Sequence, residues 1–220
     1  MRTLLITGTD TGVGKTALAL GLTAYWQYYR SESVGLMKLL ACGPDDVATY
    51  RRILTLDQEL FCPLTYDAPL APPLAAEKEG AAVELSQIWQ GYQRLSTQKE
   101  QIFLEGVGGL GCPLTRDYTV ADLARDWRVP VLLVAPVRLG VIGQLVAHSV
   151  FARHYGLKTV GIVLNQPEPV TPEDCERWAP VDLIANLCRL PVLGCFPYLP
   201  AWNALALAEA TAGLDLEYLL

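Results

Sequence analysis

The chain has 220 residues, 51% of them hydrophobic and 18% charged, and its 17 basic against 23 acidic side chains give a formal net charge of −6. This composition excludes a disordered or collagen-like chain, and a chain this long buries roughly two-thirds or more of its unfolded surface without help from disulfides, structural metal or a partner. The acidic balance lacks the basic stripe that displaces counterions from a polyphosphate backbone, so no nucleic-acid partner is expected. One domain over residues 1–220 is the reading that length favours.

Cys42, Cys62, Cys112, Cys175, Cys188 and Cys195 form no Cys-x-x-Cys pair, and neither His148 nor His154 stands at zinc-ligand spacing from them. Scattered thiols suit a reducing compartment. The opening MRTLLIT carries one positive charge and a short apolar run, unlike a signal peptide. No run approaches the ~20 apolar residues of a membrane span. A cytoplasmic protein with no membrane partner is expected.

In chain order, runs rich in Val, Ile and Leu at 3–7, 34–38, 101–104, 130–136 and 158–164 predict strands buried on both faces. Helical spacing falls between them at 15–29, 84–98, 119–127 and 141–155, the third opened by Thr119 with Asp122 three residues on. Strand and helix alternate, which predicts an α/β fold, a mostly parallel sheet with helices on both faces. Its site then belongs at the carboxyl ends of the strands. The segment 63–83 holds four prolines and no periodicity, and is read as an ordered surface loop. The Ala- and Leu-rich tail, 201–220, is read as helical. The two histidines and the five tryptophans are assigned to surface or packing roles.

The first strand runs into Gly8-Thr9-Asp10-Thr11-Gly12-Val13-Gly14-Lys15-Thr16 and then a helix starting at Ala17, the context of a phosphate loop. Gly12 and Gly14 permit positive φ and close backbone approach, so successive N–H groups can face one anion-binding hollow. The helix N-terminus adds partial positive charge, Lys15 can reach β- and γ-phosphates, and the Thr16 hydroxyl is placed for magnesium. The strict pattern asks for Gly at position 9, which is Thr9, with Gly8 one residue early. A dinucleotide turn read from Gly12 would put Ala17 at its last glycine and Lys15 inside, which does not match. Glu105, at a strand end and followed by Gly106-Val107-Gly108-Gly109, supplies the carboxylate a nucleotide-bound metal needs, and Lys38 ends the neighbouring strand. Two ammonium groups and a magnesium ion in one cleft suit an anion attacking a γ-phosphate.

On these residues the chain resembles the dethiobiotin synthetases, P-loop NTPase-like enzymes of biotin synthesis. The resemblance runs from about residue 3 to 199. It rests on GTDTGVGKT at 8–16, Lys38-Leu-Leu-Ala-Cys-Gly43, Leu104-Glu-Gly-Val-Gly-Gly109 with Pro113, Arg138-Leu-Gly140, Asn165, and Gly194-Cys-Phe-Pro197. The resemblance implies a homodimer that uses ATP and magnesium to convert diaminopelargonate and carbon dioxide into dethiobiotin, ADP and phosphate. It implies that the carbamate of one amine attacks the γ-phosphate and that the second amine closes the ring. It assigns catalysis to Lys38 and Lys15, and magnesium to Thr16, Asp46 and Glu105, Asp46 rather than Asp45. It assigns ATP binding to Thr11 through Ala17, to Asp46, and to Glu105, Gly106, Val107 and Gly108. Asn165 and Gln166, with Pro197, Tyr198 and Leu199, would enclose the base. Cys42, Gly140 and Val141 would meet the amine substrate, the last two through a helix N-terminus suited to a carboxylate. The chain departs from the family pattern at Cys42 for Ser or Thr, at Gly143-Gln144 for Asn-His, at Ala71-Pro72-Pro73 for Ser-Pro-His and at Arg138 for Lys. Three other classes share parts of this pattern. A partition-type nucleotide switch carries a Lys where this chain has Asp10; an amidoligase-type domain needs a glutaminase partner; a degenerate module would bind ATP without turnover.

Overall fold

The computed structural model describes residues 2–43, 45–54 and 62–219, with only the backbone of Asp45 and Asp46. Its centre is a six-stranded, wholly parallel sheet, and the strands are apolar enough to be buried on both faces. The strands are β1 (Arg2–Gly8), β2 (Val34–Lys38), β5 (Gln101–Gly109), β6 (Val131–Pro136), β7 (Thr159–Asn165) and β8 (Val192–Phe196), in the order β2-β5-β1-β6-β7-β8. β3 (Ala41–Cys42) and β4 (Thr65–Tyr66) make a separate two-stranded parallel pair.

Successive residues along β1, β2, β5 and β6 feed opposite cores. On one face Leu4, Ile6, Leu36, Phe103, Leu132 and Val134 pack under α1 (Lys15–Tyr29) and α9 (Ala204–Ala212), joined by Tyr50 and Ile53 of α2 (Asp45–Ile53). On the other, Leu5, Met37, Leu104 and Leu133 pack under α3 (Pro72–Lys78), α4 (Leu85–Ser96), α5 (Val120–Asp126), α6 (Val141–His154) and α8 (Val181–Cys188). The short α7 (Pro172–Trp178) buries none of its residues. Among the described residues no helix is long and apolar enough to cross a membrane.

The stretch 63–83 is not the continuous loop its prolines suggest: it contains β4 and α3. Pro72 and Pro73 sit in the first turn of α3, where an amide N–H has no helical partner to lose, and the Ala-Ala-Glu-Lys that follows favours helix. At α5 the expected start is realised as a capping box, Thr119 Oγ1 accepting from the Asp122 N–H and the Asp122 carboxylate accepting from the Thr119 N–H. The tail is helical over α9, capped by the Asn203 side chain, and ends in a 3₁₀ turn at Leu216–Leu219.

Candidate active site

Parallel register puts the chemistry at one sheet end. Lys38 pairs with Glu105 across β2 and β5, and Ile6 pairs with Glu105 across β1 and β5. The loop leaving β1 therefore sits beside both charged residues. Lys38 and Glu105 are buried, and Lys38 Nζ donates to Glu105 Oε1 at 2.9 Å. Thr16 Oγ1, from the first turn of α1, donates to the same oxygen at 2.9 Å. Glu105 Oε2 is buried with no hydrogen-bond partner. A hydroxyl beside a carboxylate with an unsatisfied oxygen is the donor chemistry of a hard, oxygen-seeking divalent cation, so these two residues fit magnesium. Asp46 opens the same helix as Asp45, but its side chain lies outside the described residues.

Between β1 and α1 the backbone turns left-handed at Gly12 (φ 73°) and Gly14 (φ 100°), which leaves amides facing a hollow. Lys15 folds into it and donates from Nζ to the Asp10 carbonyl at 2.8 Å. Gly14 has a second constraint: a Cβ there would collide with Asn165 Nδ2. Asn165, at the end of β7, donates from that nitrogen to the Val13 carbonyl at 3.0 Å and so braces the loop.

The loop walls two cavities. One, of about 620 Å³, brings together Lys15, Lys38, Glu105, Cys42 and Cys112, with Thr11 and Gly106 through Gly108 on its surface. The other, of about 250 Å³, is lined by Ala17, Asn165, Gln166 and the segment Pro197, Tyr198 and Leu199. Gly12, Gly14 and Thr16 line both. Gln166 reaches across the second cavity's rim, accepting at Oε1 from the Tyr198 N–H at 3.4 Å. Val13 instead turns its side chain into the core.

Gly140 and Val141 lie apart from both cavities of their own chain. Gly140 precedes α6 in a left-handed conformation, and the Val141 side chain is wholly buried. The Ala71-Pro72 step does reach the larger cavity, with Pro69 and Leu70.

Sequence reasoning missed several contributors, three of which bear on the chemistry. Trp202 and Thr49 line the smaller cavity rather than serving only as packing, and Cys112 lines the larger. Trp202 gives no local signal, because it reaches the cavity from the segment after β8. Cys112, three residues beyond Gly109, was legible as a neighbour of the Gly-rich strand end. Burial, with Cys112 adding to it, pushes the Cys42 thiol up to about 11, and burial raises Cys112 against the opposing pull of Lys15. Both stay neutral thiols near pH 7, donors rather than nucleophiles.

A family model described as an AAA domain matches residues 2–205. The ATP-dependent dethiobiotin synthetase of Gloeobacter violaceus is 50% identical over 218 residues, covering 99% of this chain and 95% of that protein. The same enzyme of Crocosphaera subtropica is 47% identical over the whole of both chains, and that of Bacillus subtilis is 32% identical over 90% of this chain and 88% of its own. Among solved structures, the MinC:MinD cell division complex of Aquifex aeolicus aligns with a TM-score of 0.59 at 14% identity, covering 98% of this chain and 88% of that one. A ParA family ATPase from Chlorobium tepidum aligns at 0.53 and 13% identity, covering 98% and 90%. At such identities these two likenesses show only the shared P-loop fold. With full-length identities of this size beside a phosphate loop, two lysines and a buried carboxylate, the chain belongs to the ATP-dependent dethiobiotin synthetases, ligases of biotin biosynthesis.

Proposed function

We propose that the larger cavity is where the carbamate of diaminopelargonate meets the γ-phosphate of ATP. The observation that carries this reading is that Lys15, Lys38, Thr16 and Glu105 line one cleft. Lys15, on the phosphate loop, bridges γ-phosphate and the reacting oxygen. Lys38, now held by Glu105, holds the carbamate and balances the charge that grows as its oxygen attacks phosphorus and ADP departs. The second amine then attacks the carbonyl carbon of the resulting carbamic-phosphoric anhydride, and phosphate leaves as the ring closes. Thr16 and Glu105, with Asp46, would hold the magnesium ion, which when bound would neutralise charge on the β- and γ-phosphates. Gln166, Tyr198 and Trp202 enclose the base in the smaller cavity, with Asn165 between loop and base.

We read the active form as a cytoplasmic homodimer. Support comes from the exposed apolar side chains Leu139 and Val150, at the start of and along α6, and Leu183 and Leu187 on the adjoining α8. The reaction itself is tested by phosphate release from ATP with diaminopelargonate and bicarbonate. Release should require all three components and match dethiobiotin formed. Equal release without the amine would overturn the reading in favour of a simple ATPase.

A further inference from the structure

A second cleft, of about 380 Å³, opens at the amino ends of β1, β5, β6 and β7, at the opposite end of the strands from the phosphate loop. Its walls include Arg2, Tyr92, Gln101, Trp127, Arg128 and Lys158. Among the described residues no acid lines it, although the chain as a whole carries −6. Arg2 pairs with Glu32 at 3.5 Å, so Arg128 and Lys158 are the cations best placed to meet a ligand.

Two features make this more than a basic patch. The aromatic wall is built in place: Tyr92 stacks on Trp127 at 5.0 Å and 23°, Trp89 meets Trp127 edge-on at 4.9 Å, and the Tyr92 hydroxyl lies 3.1 Å from Thr3 Oγ1. Gln101 is 3% exposed, and its Oε1 has no hydrogen-bond partner. A buried acceptor left without a donor costs free energy that an arriving N–H or O–H would recover. Apolar walls with a few converging polar groups are the usual make-up of a small-molecule site.

We propose that this cleft binds a small amphipathic carboxylate whose far end carries N–H or O–H donors. The carboxylate meets Arg128 and Lys158, the hydrocarbon lies along Tyr92 and Trp127, and the donor end meets Gln101. Dethiobiotin, the product of the family's reaction, has this chemistry in its carboxylate, alkyl chain and ureido N–H groups. Occupancy would then report product level at a distance from the catalytic cleft, a regulatory reading that rests on the chain's family activity. The binding site itself uses none of the catalytic residues.

The test is a titration of the full isotope-labelled chain with dethiobiotin, followed by amide chemical shifts. Shifts that saturate at Gln101, Arg128 and Lys158, separately from those at Gly14 and Lys15, are expected. The variant R128G/K158Q should lose the first set, keep the second and retain turnover at saturating ATP. Glycine suits position 128, whose φ is 54°. Octanoate, a carboxylate of similar reach without donors, should bind the cleft at least tenfold more weakly. Shifts confined to the phosphate-loop cleft, or unchanged in the double variant, would overturn the proposal, and equal binding of octanoate would remove Gln101 from it. A wild-type chain that forms no dethiobiotin would instead undo the catalytic reading, leaving the binding result legible.

Discussion

At the scale of the residue, one oxygen carries an unusual load: Glu105 Oε1 accepts from both Lys38 and Thr16 while Oε2 has no partner. Glu105→Gln should therefore raise the magnesium concentration for half-maximal turnover at least tenfold; an unmoved metal dependence would point to other ligands. The same change strips the countercharge from Lys38, and breaking a buried pair from one side costs about 3–5 kcal/mol. The double variant K38M/E105Q should accordingly melt higher than Glu105→Gln alone while remaining inactive. The two lysines separate by readout. Removing one transition-state donor costs roughly 100-fold or more in turnover, and both Lys15→Ala and Lys38→Ala should show that loss. ATP titrated calorimetrically should bind more weakly to Lys15→Ala and nearly normally to Lys38→Ala. Near-native turnover in either variant would remove that lysine from the mechanism.

At the scale of the element, Gly14→Ala combines a left-handed φ with a collision against the Asn165 side chain, so the loop is strained and that side chain must swing off its bond to the Val13 carbonyl. Nucleotide binding should fall at least tenfold, while the melting temperature falls by only a few degrees because Gly14 itself contributes no side chain to either core. Retained affinity would show that the brace from Asn165 is dispensable. The elements that order this region were open to sequence reading for a physical reason. β2 over 34–38 and α1 over 15–29 have the predicted bounds: an apolar run closed by a lysine delimits the strand, and the Gly-Lys-Thr junction marks where the helix starts. β8 was missed: Val192-Leu193 is cut by Gly194 in a left-handed conformation and Cys195 is exposed, so no continuous buried run marks the strand as it does in β2. α7 and α8 were missed as well; α7 buries nothing, so no periodicity had to be written into it. Within the site, Lys15, Lys38 and Glu105 were legible because register on a parallel sheet brings strand ends together, whereas Trp202 and the cleft around Gln101 depend on tertiary approach that no local pattern encodes.

At the scale of the molecule, the thiols make stability depend on alkaline pH. Cys42 is raised from 9.0 to about 11 by burial, and Cys112 and Cys188 are raised for the same cause. The folded chain keeps these protons where the unfolded chain releases them, so the unfolded state binds fewer protons across that interval. Stability should then decline as pH climbs from about 9 toward 11, with little change from 7 to 9 due to these groups. Denaturant midpoints at pH 7, 9 and 10.5 measure it, and a rise at 10.5 would contradict the assignment. Light scattering should give twice the monomer mass, with Leu183→Glu/Leu187→Glu shifting it to the monomer; an unchanged mass would place the interface elsewhere. Finally, the stretch from Gly12 to Thr16 is a party wall between two chambers, so furniture pushed against one side is felt on the other. Whatever factor a seated nucleotide applies to amine affinity, a seated amine must return to the nucleotide, because thermodynamic linkage has no preferred direction.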